Sequence, residues 1–189
     1  MRLPLVAILG LCVLCAGAVP ARGNSRLHLI GIDQRGFRLG QLVWNWQAHN
    51  RAITLADFTG AFGRPSSCRI GNSRAEAHVV WHRHGIRGEF ATLGGFPRAS
   101  DNACTAPASV HPDTVDVINR AWLTSPGLHV GETLQRLRTL YPHTSRHRDG
   151  WWLVTRRNDP LFGIYGQLAA GVQNGRVSYL RLVLHEQGD

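Results

Sequence analysis

Three histidines, His78, His82 and His84, fall on positions of equal parity. If His78 to His84 is extended, they share one face with Val80, because successive strand side chains point to opposite sides. Three imidazoles on one face could hold zinc or copper. The simpler reading is a solvent-facing row in a chain with ten His, since no carboxylate or fourth ligand accompanies them. No metal is therefore expected. Of four Cys, Cys12 and Cys15 lie in the amino-terminal apolar run, which leaves Cys68 and Cys104. In an exported chain such a pair is expected to form a disulfide. Gly71-Asn72-Ser73-Arg74-Ala75 lacks the last glycine of a nucleophile elbow. Asp113 and Asp116 flank a strand beginning near Thr114 and read as solvated turn charges. With no phosphate-cradling glycine loop either, the chain is expected to be non-catalytic and to carry no cofactor.

The amino terminus explains why a disulfide is expected. Met1 and Arg2 precede an apolar run from Leu3 to Val19, closed by Ala16, Gly17, Ala18 and Ala21. A charged start, an apolar middle and a small-residue exit describe a secretory signal peptide over 1–21. Cleavage after Ala18 and cleavage after Ala21 both fit. Retention as an anchor is the alternative, although the run is short of the ~20 residues a span needs. Cys12 and Cys15 each follow Leu, where a lipoprotein signal would carry a small residue.

Formal charge is +9, and every basic residue is Arg. Such a surface attracts anionic partners. The Arg are scattered rather than run together, and export argues against a nucleic-acid role.

The elements that would position these residues repeat. Thr54-Leu55, Phe58 and Phe62-Gly63 match Thr133-Leu134, Leu137 and Tyr141-Pro142 at one constant offset. The apolar positions recur at helical spacing, which predicts two short helices opened by Thr54 and Thr133. Gly63 with Pro65 stops the first and Pro142 the second. Gly36-Phe37-Arg38-Leu39-Gly40 similarly echoes Gly127-Leu128-His129-Val130-Gly131. Alternating sequence follows each helix: His78 to His84 and Ile86 to Leu93 around Gly85, then Trp151 to Arg156, Gln167 to Val172 and Arg176 to His185. Asn174-Gly175 is a strong hairpin signal. His143 and His147 fall in a polar stretch that reads as linker. The expected fold class is α+β, with two tandem repeats, each a short helical segment packed on an antiparallel β-meander. Repeat 1 spans 25–121, with an insertion over 41–52 and the disulfide, and repeat 2 spans 122–189.

The Gly-x-x-x-Gly strand entry, the Thr-led helices and the helix ends Phe62-Gly63-Arg64-Pro65 and Tyr141-Pro142 resemble the beta-lactamase inhibitor protein-like fold. That fold has two tandem copies of a helix plus a four-stranded antiparallel sheet, and small outer-membrane assembly lipoproteins carry it in single copy. The pattern is also similar to secreted proteins of GC-rich actinobacteria. What the resemblance implies is architecture. The turn His84-Gly85-Ile86-Arg87 lacks the acidic residue of the family's inhibitory loop.

Strand parity then selects a surface. If Leu180, Leu182 and Leu184 face the helices, Val177, Tyr179, Arg181 and Val183 face out. Trp152 with Arg156 should join them, and the repeat adds Trp81 with Arg83. Exposed Trp, Tyr and Arg are enriched at binding hot spots. The expected function is thus a secreted binding protein that recognises another extracellular protein or an anionic envelope component through this aromatic and Arg-bearing sheet face. The alternatives are an extracellular enzyme with a dispersed site and an envelope-associated scaffold.

Overall fold

The computed structural model describes residues 28–33, 35–45, 51–92, 94–157 and 164–186. The signal segment 1–21 and residues 46–50 of the 41–52 insertion lie outside the described residues. Three strands come first, β1 (Leu29–Ile32), β2 (Gly36–Leu39) and β3 (Leu42–Asn45), followed by helix α1 (Leu55–Phe62). Next are β4 (Ser67–Ile70), β5 (Glu76–Trp81), β6 (Ile86–Ala91), β7 (His111–Val117) and the short β8 (Leu123–Thr124). Helix α2 (Leu134–Leu140) precedes β9 (Ser145–His147), β10 (Gly150–Arg157), β11 (Ile164–Gln173) and β12 (Arg176–Glu186). The class is α+β and sheet dominates.

Both helices begin where capping chemistry requires. Thr54 is extended, and its backbone N–H donates to the Asp57 carboxylate at 2.9 Å. In α2 the Thr133 hydroxyl accepts from the Arg136 backbone N–H at 3.1 Å. Each bond satisfies a donor that a helix start would otherwise leave unpaired. The apolar stripes point inward as their spacing predicts: Leu55, Phe58, Phe62, Leu137 and Tyr141 are buried, and Leu134 is partly so.

An eight-stranded antiparallel sheet runs in the order β4-β5-β6-β7-β12-β11-β10-β9. Strands β3-β2-β1-β8 form a second, four-stranded sheet with no strand pairing to the first. Residues paired across neighbouring strands lie on the same face, so register reads out the two faces of the large sheet. One row runs Trp81, Ile86, Val117, Leu180, Ala170, Trp151. These side chains join one hydrophobic cluster with Phe58 of α1, Leu137 of α2 and Ile30, Phe37 and Leu39 of the small sheet. The Phe58 ring stands edge-on to Phe90 and tilted on Trp81, at centroid distances of 5.2 and 6.1 Å. Helices and small sheet therefore cover a single face of the large sheet, and the opposite face is left for the row beside it.

Several sequence expectations need correction. The Gly127 to Gly131 stretch is not a strand, and among its residues only His129 makes an isolated bridge, to Leu123. The polar stretch read as linker contains edge strand β9. Asp113 and Asp116 lie inside β7, which starts at His111 rather than near Thr114. The Asn174-Gly175 hairpin is present, with both residues at positive φ, 51° and 72°, as a two-residue turn of this type requires. Cys68 and Cys104 are joined by a disulfide, which ties edge strand β4 to the segment before β7. No described helix is long and apolar enough to cross a membrane.

Candidate binding surface

On the opposite face, which carries neither helix nor small sheet among the described residues, the paired row runs Val80, Arg87, Asp116, Arg181, Ala169, Trp152. At its centre Asp116 is only 4% exposed, although its face carries neither helix nor small sheet. Two guanidiniums account for this. Arg181 grips the carboxylate in a fork, Nε to Oδ1 at 2.5 Å and Nη2 to Oδ2 at 2.9 Å. Arg87 adds Nε and Nη2, each 3.1 Å from Oδ2. A forked pair of this kind fixes both planes. The hydrogen bonds that Arg181 donates to Asp116 hold the Arg181 pKa above its ordinary value, against the opposing effect of burial.

Tyr179 completes the cluster. Its ring lies 4.9 Å from the Arg181 guanidinium carbon and 5.9 Å from that of Arg87, within cation–π range. Gly171, its cross-strand partner, leaves room for this, because a Cβ there would collide with the Tyr179 ring. The Tyr179 hydroxyl donates to the Asp149 carbonyl at 3.3 Å, and Trp152 Nε1 donates to the Asp149 carboxylate at 3.0 Å. Trp152 in turn stacks on His147, with centroids 3.6 Å apart and planes 10° from parallel. Aromatic and basic groups therefore form one connected set across β6, β7, β12, β10 and β9.

A depression of about 290 Å³ opens beside this set, lined by His78, Val80, Arg87, Glu89, Thr114 and Arg181. His78 and Glu89 are more than half exposed and 3.8 Å apart, and the Thr114 hydroxyl donates to Glu89 at 3.3 Å. Gln167 lies on the same face, paired with Val183, and is 8% exposed. Its Nε2 is buried without a hydrogen-bond partner among the described residues.

The register brings Tyr179, Arg181 and Trp152 to one face. Trp81 is a correction: it is 1% exposed, and its Nε1 donates to the Gly63 carbonyl at 2.8 Å inside the core. Ala77 and Val79 share its inward parity, so the analogy with Trp152 inverted the strand. Arg83 is exposed, but it sits in the 3₁₀ turn His82–His84 beyond the end of β5 and not on the sheet face. Arg156 is displaced by a bulge between Trp152 and Val154; its backbone pairs with Gly166, out of parity with the Ala169 row. The Arg156 side chain lies outside the described residues. A second irregularity, between Gly171 and Val172, turns Val177 into the core at 2% exposure. The three histidines do not share a face either. His78 lies on the open face, His82 and His84 lie in the turn, and the His84 ring is 5.4 Å from Phe62. Among the described residues no group of three potential metal ligands forms.

Arg87 and Asp116 were missed by sequence reasoning. A signal existed in Val115-Asp116-Val117, whose flanking valines are fully buried and so send Asp116 to the other face. Reading Asp116 as a turn residue hid that alternation. No family model matches the chain, and no curated protein or solved structure matches it either.

Proposed function

We propose that this chain is a secreted, non-catalytic binding protein that recognises another extracellular protein or an envelope component through the open face of its large sheet. The observation that carries the reading is the Arg87–Asp116–Arg181 cluster with Tyr179 laid across it, on a face that neither helices nor small sheet cover. Aromatic and Arg side chains fixed before a partner arrives lose little freedom on binding, which is where affinity is usually lost. Export is supported by the amino-terminal pattern together with the disulfide.

The same reading treats residues 25–121 and 122–189 as two copies of one unit, similar to the beta-lactamase inhibitor protein-like fold. Its support is the order of elements. Helix α1 leads into β4 to β7, α2 leads into β9 to β12, and the two sets meet at β7 and β12. The recognition surface would then straddle the joint, since Arg87 and Asp116 come from the first set and Tyr179 and Arg181 from the second.

Affinity capture on the mature chain from the producing organism's culture and envelope fractions, followed by hydrogen exchange on the recovered complex, tests the proposal. Protection confined to the open-face strands supports it. Protection on the helices or the small sheet instead would place the interface elsewhere.

A further inference from the structure

We infer that the partner is a protein that places an aspartate or glutamate carboxylate in the depression beside Arg87; this rests on the binding role proposed above. Arg181 alone satisfies the Asp116 carboxylate with a complete fork, and the carboxylate is nearly closed to water, at 5% side-chain exposure against 23% for Arg181. Arg87 shares an oxygen, Oδ2, that Arg181 already uses, and its side chain is 52% exposed. A guanidinium has five N–H donors. Arg87 therefore retains N–H donors that Asp116 does not take up, on a side chain half in solvent, and carries a positive charge that Asp116, already matched by Arg181, does not balance.

Glu89 is the other carboxylate of the depression, but it is engaged by the Thr114 hydroxyl and by His78. It also discriminates between occupants. A polyanion would lay successive charges along the face and meet Glu89 after Arg87, whereas a single carboxylate need occupy only the Arg87 side. The surroundings favour the single group as well. Val80 lines the depression, and Tyr179 and Trp152 extend from it across the sheet. Ile118, the residue after β7, is one of three large apolar side chains left exposed among the described residues, at 46%. A lone carboxylate flanked by apolar contacts belongs to a folded protein surface or a peptide, and the +9 charge of the whole chain would steer an acidic partner inward.

A phage-displayed library of random dodecapeptides, selected on the immobilised mature chain, supplies the probe. Enriched peptides should carry Asp or Glu beside apolar residues. Changing that acid to its amide should weaken binding about tenfold, the scale of a close interfacial charge pair. Arg87→Gln should weaken the parent peptide equally and the amide peptide hardly at all, while Arg87→Lys restores part of the loss. The peptide-side change cannot unfold the protein, so it stands even if an Arg87 variant proves unstable. Enriched peptides without an acid, amide peptides of equal affinity, an empty selection, or binding of dextran sulfate in place of peptides would each overturn the inference. If a partner protein still protects the open face in the capture experiment, only the carboxylate claim falls.

Discussion

Asp116 illustrates how much one residue commits on this surface. A carboxylate with 5% side-chain exposure is tolerable only because two guanidiniums hold it, and removing its charge leaves Arg181 half-buried without a counterion. Asp116→Asn should destabilise the fold by about 2 to 3 kcal/mol, below the cost of breaking a fully buried pair because Arg181 keeps some contact with water. Urea unfolding checks this, and an unchanged midpoint would mean that the cluster is ornamental. Gln167 is the opposite case. Its buried Nε2 finds no partner among the described residues, so the amide incurs desolvation without a compensating bond. Gln167→Met, similar in length and apolar, should leave stability unchanged or raise it by about 1 kcal/mol. Neither residue could be ranked from sequence. Parity says which face a side chain takes only once the strand's start and bulges are known, and β7 began three residues before the position assumed. Tyr179 and Arg181 were legible because β12 keeps an unbroken pairing register from Tyr179 onward, whereas Arg156 and Val177 were not, because a bulge intervenes.

At the scale of elements, the helices were the most legible part, since each has a Thr cap, an apolar stripe and a Gly or Pro stop within a dozen residues or so. Strands β4 and β9 escaped notice because both are short and polar on the edges of the sheet, where pairing is set by neighbours rather than by their own sequence. Helix α1 offers a pH test. Arg51 donates two hydrogen bonds to Asp57, at 2.6 and 2.7 Å, and this pair, with the Thr54 backbone, holds the carboxyl well below its usual range, at about 2. A depressed carboxylate stabilises the fold above its unfolded pKa and loses that contribution as pH falls from about 4 through about 2. The effect should stay under ~1 kcal/mol because Arg51 is largely in water. Asp57→Asn should therefore lower stability at neutral pH and flatten its fall over that acid range, as read by thermal unfolding at successive pH values. A variant as acid-sensitive as the parent would remove Asp57 from the account.

For the molecule as a whole, the disulfide is the one covalent link between distant parts of the described chain. It closes a 36-residue separation that holds β5 and β6, and it anchors edge strand β4. Cys68→Ala with Cys104→Ala should cost ~2 to 4 kcal/mol, chiefly by freeing the unfolded chain. Reductant should lower the parent's unfolding midpoint to that of the double variant and leave the variant unmoved. A midpoint shared by all three samples would show that the link constrains nothing.

The central claim is that the open face of the eight-stranded sheet is the recognition surface. Affinity capture run in parallel on the parent chain and on Trp152→Ala with Tyr179→Ala tests it most directly, since both side chains lie on that face and neither belongs to the core cluster. With both proteins melting at similar temperatures, quantitative mass spectrometry should find a partner on the parent that is depleted about tenfold or more on the variant, equivalent to about 1.4 kcal/mol of binding. Equal recovery of every captured protein by the two folded chains would contradict the account.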